Sequence, residues 1–520
     1  MSRINTNVVS QIAQRVLGQN NKSLNVALER LSTGLRINRG ADDPAGLIAS
    51  QNLRAEKVSL QTAINNAERA DQVVNIAEGG LDEISSLLGE LQALVTSTAN
   101  TAGLSDEERE ANQLQIDSIL QTVDRIASAT SFQGAKLLNG NFDYTTDSVH
   151  ANVASYTVNG AKLEFGDQLD VDVVVTGSAQ VGGFFLSFGA NNLNLGGSGA
   201  SDGASESFTI EISGAKGSRE LSFASGTTLA DVAAAINSYT DITGVQANVS
   251  GTTGLRLESD ALGSDQFVSV KIVDDGGIGT ASNIGIYNFQ TADADAVLTT
   301  SHTGFNASGA TNGLTDEGQD VSATINGIVA TTKGTTARIN TDFLDVEIDL
   351  TTSGTGANAQ TLGALSAFTI TGGGADFQLA GRVDIAGKVS LGISNVAVRE
   401  LGRTVDGSTT YTLSDLGAGR GLNMVDGNLS VAQDVVDKAI RAVSSLRGRL
   451  GAFQQNTIGA TIRSLGVAVE NTAAAESIIR DADFAAETAN LTRAQILVAS
   501  AQNTLALANA QPQNALQLLG

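Results

Sequence analysis

The chain has 520 residues, and its 31 basic and 55 acidic side chains give a net charge of −24. This charge repels nucleic-acid phosphates and anionic membrane surfaces, so we expect neither as a partner. Cysteine is absent, and His150 and His302 lie far apart in the sequence. Thiolate chemistry is therefore excluded, and we expect no catalytic residue, cofactor or metal site.

Composition divides the chain into three parts. Residues 1–140 contain 10 glycines, residues 141–420 contain 40, and residues 421–520 contain 7. The acidic charge is concentrated in the same central part, which also holds all five tyrosines. Two glycine-poor, nearly neutral ends thus flank an acidic, glycine-rich centre.

The first 40 residues are locally basic and contain no apolar run of the length that a secretory signal needs. Taken alone, the missing signal indicates a cytosolic protein. Six basic side chains stand against Glu29, which gives a local charge of +5. The common interpretation is a solvated face. The functional alternatives are pairing with acidic neighbours in an assembly and a feature that is read during export.

Heptads follow. The first apolar series is Leu53, Leu60, Ala67, Val74, Leu81, Leu88 and Val95, and the offset series is Ala63, Ala70, Ala77, Ile84 and Leu91. Two such series predict a coiled-coil helix with a narrow contact seam. An ordinary helical-bundle core and an intermolecular contact explain such a seam about equally well, and both stay open here.

Start signals set the helix bounds. Asp43 stands before Pro44 as an N-cap before a proline at the first helical position. Two capping boxes are predicted, one from Ser105 to Glu108 and one from Ser430 to Gln433. We expect long helices at residues 44–99, 105–128, 430–450 and 453–510.

The central part of the sequence is predicted to form antiparallel β structure. Alternating stretches such as Ser207–Ser213 and Phe267–Val273 predict strands, and Thr228–Asn237 is the one helix candidate. The triplet Gly372–Gly374 lacks the lysine and the strand-to-helix context of a phosphate loop. The carboxylates are mostly spread singly, so no paired acid/base site is indicated. The expected fold class is α+β multidomain, with discontinuous terminal coiled-coil helices around a β-rich insert.

The C-terminal segment has a second seam and an unusual tail. From Ala494 to Gly520 no residue is charged, although eight amide side chains occur there. A membrane helix would not bear so many amides, and a monomer's surface helix would normally bear charges. The tail therefore favours packing of helices on helices. The seam consists of Phe484, Leu491, Val498 and Leu505, with Ala494, Ala501 and Ala508 at the offset position.

Several motifs resemble those of one family. The stretches from Arg30 to Asn38, from Asp42 to Leu47 and from Ser131 to Gly140 are similar to the N-terminal signature of bacterial flagellin. Three further stretches resemble the C-terminal signature of the same family, namely Arg480–Glu487, Leu491–Leu497 and Ala508–Leu519. In the centre, Thr228–Val245 resembles a flagellin hook IN motif, which would lie within about 205–275.

The resemblance implies a domain plan. Residues 1–42 and 478–520 would pair as an inner helical domain. Residues 43–175 and 375–477 would form a helical rod with a small β portion. Residues 176–374 would project outward as one or two β-rich domains.

The resemblance also implies a function. The chain would be a structural subunit of the flagellar filament rather than an enzyme, exported by the flagellar type III apparatus to the cell exterior for swimming. Its partners would be further copies, an export chaperone at the C-terminal helix, and the filament cap and hook-junction proteins. A hook–filament junction protein is an alternative, which the preserved C-terminus disfavours. A second alternative is an insert that acts as a metalloprotease, which the isolated histidines disfavour.

One position departs from the family pattern. Flagellins that activate the flagellin-sensing toll-like receptor have a Gln-Arg-Val-Arg-Glu-Leu type stretch, and its first arginine is a central receptor contact. The resemblance places Glu90 at that arginine, Gln92 at the second arginine and Ala93 at the glutamate. Because the charge is reversed at a close ion pair, we expect weak or no activation of the receptor.

Overall fold

The computed structural model describes residues 6–100, 103–164, 166–195, 207–278, 284–290, 293–297, 302–352, 359–406 and 409–517. The outermost residues of the predicted inner domain, 1–5 and 518–520, lie outside this description, as does the beginning of the predicted IN region at 205–206.

Helices form both ends of the chain. They are α1 (Val8–Thr33), α2 (Pro44–Thr98), α3 (Asp106–Ala129), α4 (Leu229–Asn237), α5 (Thr240–Thr243), α6 (Ser308–Asn312), α7 (Leu429–Ala452), α8 (Gly459–Arg480) and α9 (Phe484–Gln517), together with a 3-10 helix at Leu413–Leu416 and a π-helical segment at Phe453–Ile458.

Local capping explains where several helices begin. The Asp43 carboxylate accepts the backbone N–H of Gly46 at 2.9 Å, and α2 begins at Pro44 as predicted. Ser105 and Glu108 form the predicted capping box of α3. The Thr228 hydroxyl accepts the backbone N–H of Asp231, which confirms the central helix. Each of these starts depends on residues within three positions, so the sequence alone predicts it.

Two helix predictions were wrong. The predicted capping box at Ser430 does not start α7. The helix begins at Leu429, and the Asn428 side chain accepts the backbone N–H of Ser430 at 3.1 Å.

The predicted helix at 453–510 is also not continuous. It begins as the π segment, and α8 then ends before α9 starts. Asp481 forms an antiparallel bridge with Leu35, and the Asp483 carboxylate accepts the backbone N–H of Ala485 at 2.9 Å. This tertiary bridge and this new N-cap together stop one helix and start the next.

Antiparallel strands fill the centre. They are β1 (Ser131–Phe132), β2 (Ala135–Lys136), β3 (Tyr144–Asp147), β4 (Val153–Ala161), β5 (Leu169–Gly177), β6 (Gly183–Ser187), β7 (Ser207–Gly214), β8 (Gly217–Ala224), β9 (Val245–Ser250), β10 (Gly254–Ser259), β11 (Phe267–Asp274), β12 (Gly285–Gln290), β13 (Asp293–Val297), β14 (Leu314–Glu317), β15 (Ser322–Ile325), β16 (Ile328–Val329), β17 (Thr331–Lys333), β18 (Thr336–Asn340), β19 (Leu344–Leu350), β20 (Gly363–Gly373), β21 (Ala375–Gln378), β22 (Lys388–Leu391), β23 (Thr404–Asp406) and β24 (Thr409–Tyr411). The two predicted strands are confirmed as β7 and β11.

In the described part of the centre, four larger sheets enclose two separate hydrophobic cores. The sheets β13-β12-β6-β10-β9 and β14-β11-β7-β8 supply the first core, in which α4 also packs. The sheets β16-β15-β5-β20-β3 and β17-β18-β19-β4 supply the second core. Phe208 is completely buried in the first core, and Phe368 is 1% exposed in the second. Alternation of apolar and polar residues along these strands produces both cores.

Register in the second core is fixed by a tight turn and by one long-range pair. Asn326 and Gly327 connect β15 to β16 with φ values of 48° and 78°, which two-residue hairpins require. The long-range pair is β3 with β20, in which Tyr144 lies opposite Gly373.

The chain divides into two compact units. One consists of residues 1–78, 377–389 and 447–520, and the other of residues 79–376 and 390–446. Terminal helices therefore flank a β-rich centre, which confirms the predicted fold class. The division into inner, rod and projecting domains stays a prediction.

Candidate assembly surface

The two ends of the chain pair through α1 and α9. The Asn7 side-chain amide donates to the backbone oxygen of Ala508 at 2.8 Å, and the Ser10 hydroxyl donates to the Asn509 side-chain oxygen at 2.7 Å. Further along, the Asn20 amide donates to the backbone oxygen of Leu497 at 3.2 Å. These bonds join residues 477 to 501 positions apart, so the first and last segments form one structural element.

The pairing continues past the end of α1. The backbone N–H of Arg36 donates to the oxygen of Arg480 at 2.7 Å, and the N–H of Ala482 donates to Gly34 at 2.9 Å. The Arg36 guanidinium also donates to the Ile479 oxygen at 2.6 Å. One of the basic side chains of the N-terminal segment is thus occupied within the monomer.

Small residues form the covered seam between the two helices. Ala13 and Ala27 on α1 are buried, and so are Ala494, Ala501 and Ala508 on α9, which follow each other at heptad spacing. Alanine at the seam lets two helices approach closely, but each alanine buries little apolar area. The covered seam therefore contributes little hydrophobic stabilisation for its length.

Several larger apolar side chains of the same helices remain uncovered. Phe484 is 66% exposed, Ile496 is 65% exposed and Leu507 is 66% exposed. On α1 the exposed set is Val8, Val9, Ile12, Val16 and Leu28. We call the exposed apolar residues of α1 and α9 the assembly surface. Exposed patches of this kind mark contacts with further chains.

The predicted seam residues occupy different environments. Leu491, Val498 and Leu505 are half-buried on α9. Leu53 and Leu60 are half-buried on α2, whereas Val74, Leu81 and Leu88 are buried within the monomer. Their role in filament packing stays a prediction. Periodicity pointed equally to the leucine and alanine series of α9, and it could not show that the alanines are the ones covered in the monomer.

Charge is uneven along the groove between α1 and α9. The groove has a volume of about 840 Å³, and Lys22, Arg30 and Arg493 line it together with Glu487. Glu487 is buried, and the Asn490 side chain donates to it at 3.5 Å. Three cations against one carboxylate keep the local excess of positive charge that the sequence predicts.

The turn before α2 is ordered by a carboxylate. Asp42 accepts the backbone N–H of Arg39 at 2.8 Å and that of Asn38 at 3.0 Å. These two bonds hold the pKa of Asp42 below its usual value. The motif that resembles the family signature thus acts locally as a hydrogen-bonded turn.

The receptor-motif positions lie on α2. Glu90 and Ala93 are exposed, while Gln92 is half-buried and donates to the Asp437 carboxylate at 2.6 Å. Among the described residues, no group of three or more histidine, aspartate or glutamate side chains could hold a metal ion, and no helix is long and apolar enough to cross a membrane.

Paired terminal helices that expose large apolar side chains are typical of a subunit that assembles with further chains. Three family descriptions match this chain. The bacterial flagellin N-terminal helical region matches residues 4–143, the bacterial flagellin C-terminal helical region matches 433–519, and the flagellin hook IN motif matches 207–261.

Whole-chain relatives agree with these matches. Flagellin B of Helicobacter pylori is 29% identical over 555 aligned positions, which cover 99% of each chain. A flagellin of Salmonella rubislaw is also 29% identical over 99% of each chain. The chain belongs to the bacterial flagellin family, a family of structural proteins that polymerise into the extracellular flagellar filament.

Similarity to solved structures is much weaker. The D2-D3 domains of the flagellar cap protein FliD from Serratia marcescens cover 41% of this chain and 97% of their own, with 18% identity and a TM-score of 0.24. FliC from Burkholderia pseudomallei covers 74% of this chain and 99% of its own, with 14% identity and a TM-score of 0.23. Neither TM-score defines a common arrangement of the whole chain.

Proposed function

We propose that the chain builds the filament that drives swimming, and that the assembly surface is where one copy packs against the next. One observation carries this proposal. The paired terminal helices bury alanines against each other and leave Phe484, Ile496 and Leu507 exposed. When a second chain covers apolar side chains that are otherwise in water, the free energy falls by about 25 cal/mol per Å² of apolar surface buried.

The geometry of repetition favours an open polymer. Contacts in which one surface patch meets a different patch on the next copy give a ring when the rotation between copies closes, and an open helical filament when it does not. The assembly surface belongs to a pair of helices, and so each copy presents both the first and the last segment of its chain to its neighbours.

Seeded polymerisation tests the proposal. Leu507→Asp adds one negative charge to the assembly surface, and Asn306→Asp adds the same charge to an exposed site in the β-rich region. An unpaired carboxylate buried in a contact costs roughly several kcal/mol. We expect electron microscopy of sheared seeds to show filament growth with Asn306→Asp and none with Leu507→Asp. Equal growth of both variants would contradict the assigned surface.

Export and capping partners follow from the same proposal. A chain destined for the filament would leave the cell through the flagellar type III apparatus, with an export chaperone held on α9. It would then add beneath the cap protein and beyond the hook-junction proteins. The uncovered apolar side chains of α9 support a chaperone, because they need shielding from other copies before export.

Weak receptor activation completes the proposal. Glu90 replaces a cation with an anion, and Gln92 is already bonded to Asp437. Reversal of a charge at a close, desolvated contact costs roughly several kcal/mol. We expect a reporter-cell assay of the depolymerised chain to give a weak response, and Glu90→Arg with Gln92→Arg and Ala93→Glu to raise it. A response like that of a strongly stimulatory flagellin would refute the charge argument.

A further inference from the structure

A π-helical segment interrupts the long C-terminal helical run. From Leu429 to Arg480 the chain is helical throughout, but Phe453–Ile458 has π geometry. The backbone N–H of Gly459 donates to the oxygen of Gln454, five residues back rather than four. The segment therefore holds one surplus residue relative to an α-helix, and such insertions occur frequently at functional sites.

The helix is firmly held up to this segment. Leu450 is fully buried, and the Phe453 ring lies 6.0 Å from the ring of Phe377. The Gln454 side chain donates to Asp71 at 2.8 Å and to Asn75 at 3.0 Å. Apolar burial and hydrogen bonds to α2 thus fix the register of the chain on the N-terminal side of the surplus residue.

Beyond the segment the body of α8 is held only weakly, and its firm contacts lie in its last turn, where the Ile479 and Arg480 oxygens accept hydrogen bonds from Arg36. In α8, all of whose residues the structure describes, no residue is buried. Its ion pair to α2 joins Lys57 and Glu476 at 3.2 Å, and the long, partly exposed lysine can follow a moving partner.

Successive faces of α8 present the same small side chain, because residues 473–475 are all alanine. A change of register would therefore disturb little packing along the body of α8, but it requires Ile458, which is 1% exposed, to move and the bonds of Ile479 and Arg480 to Arg36 to break and re-form.

Glycines make the same stretch easy to deform. A methyl group added to Gly448, Gly451 or Gly466 would meet no atom within 4 Å in the described part of the chain. Packing inside the monomer therefore does not require glycine at these positions, and alanine would favour the helix. Glycine leaves the backbone on both sides of the π segment more adaptable than alanine would.

We propose that Phe453–Ile458 is a register switch. When the π segment relaxes to an α-helix, the surplus residue passes into α8. Helix α8 then moves by one residue along α2, which is a rise of about 1.5 Å and a rotation of about 100°. The rotation changes which side of α8, with its exposed Val467 and Ile478, faces outward. This property belongs to the single chain and goes beyond the proposed role in filaments.

Distance measurements on the unpolymerised full chain test the switch. Because the chain has no cysteine, Gln72→Cys and Asn471→Cys provide the only two attachment sites for spin labels. Both positions are exposed, the first near the fixed part of α2 and the second on α8. We expect double electron–electron resonance to show two separations or one broad distribution, because one register step moves the second label.

Single-residue deletions provide the matched comparison. Deletion of Asn456, which is exposed, removes the surplus residue without shortening α8. It should leave one separation, with a distribution roughly twofold narrower, because an α-helix there has no residue to release. Deletion of Ala474 removes a residue from regular helix and should leave the broad distribution. A single narrow separation in the full chain, equal to that of the Asn456 deletion, would overturn the proposal.

Hydrogen exchange gives a second reading that needs no variant. The amide of Gly459, bonded across the π segment, should exchange at least about tenfold faster than that of Leu450 in the fixed part of the helix. Equal protection of the two amides would count against the switch even if a deletion variant failed to fold.

Discussion

The α1–α9 pair and the β-rich region bury their side chains in opposite ways. The α1–α9 pair covers alanines and exposes phenylalanine, isoleucine and leucine, whereas the β-rich region encloses its large apolar side chains in two cores. A region with closed cores stabilises itself. A helix pair whose fully buried apolar residues are alanines depends on packing from elsewhere. The difference indicates that the β cores stabilise the fold, whereas the exposed apolar side chains of the α1–α9 pair are available for the proposed assembly.

Removal of residues 480–520 should have the largest effect. Helix α1 then loses its partner, while both β cores keep all their residues. We expect electron microscopy to show no seeded filaments. The β-rich region of the truncated chain should unfold in the same cooperative transition as it does in the full-length chain. Filament growth by the truncated chain would show that the α1–α9 pair is dispensable for assembly, and it would contradict the contrast drawn between the two regions.

A matched pair of phenylalanine substitutions sharpens the contrast. Phe208→Ala empties a fully buried site and should lower the free energy of unfolding of the β-rich region by about 3–5 kcal/mol. Phe484→Ala removes a side chain that is 66% exposed, so the monomer should change by less than about 0.5 kcal/mol.

Assembly should reverse that order. Phe484→Ala should raise the concentration needed for filament growth, because the ring is part of the assembly surface. Urea unfolding of monomers and the critical concentration for polymerisation measure the two effects separately. A large loss of monomer stability in Phe484→Ala would place that ring in a core.

The smallest effect concerns the junction between the two β cores. Asp320 accepts the Ser264 hydroxyl at 2.6 Å and the backbone N–H of Gly334 at 2.7 Å. Burial raises the pKa of Asp320, but these hydrogen bonds outweigh burial and leave the pKa below its usual value. A carboxylate of this kind stabilises the fold above its unfolded pKa, near 4, and the stabilisation is lost as pH falls through the folded pKa.

Asp320→Asn should therefore lower stability at pH 7 by about 1 kcal/mol, and between pH 7 and strongly acidic pH the deficit should shrink towards zero as pH falls through the lowered pKa of Asp320. Chemical unfolding of both chains across this pH range measures it. Ser308→Asn, at an exposed site away from the junction, is the control and should show no such pH dependence. A deficit that grows in acid would have the wrong sign for a lowered pKa.

Local signals predicted much of the fold. Asp43, Ser105 and Thr228 each cap a helix through bonds to backbone groups within three residues, so the sequence contains all the information needed. The break between α8 and α9 was missed because it includes a bridge between Leu35 and Asp481, which are far apart in the chain. The π segment was also missed, since the prediction of a helix at 453–510 gives no sign of one surplus residue within it.

The assembly surface was predictable only in part. The uncharged tail indicated helix packing, and heptads identified Leu491 and Val498 together with their alanine neighbours. Two interleaved series have the same period, so periodicity cannot say which one is covered in the monomer. The answer depends on α1, whose own small residues, Ala13 and Ala27, fit against the alanines of α9.

The pairing of β3 with β20 has a consequence for how such chains diversify. Tyr144 and Gly373 lie side by side on neighbouring strands, which are about 5 Å apart, although 228 residues separate them in the sequence. Any domain whose own ends lie close together could be spliced between these strands without moving the helices on either side. The strand pair is a natural graft point, at which the outer part of the molecule can be exchanged while its terminal helices are inherited unchanged.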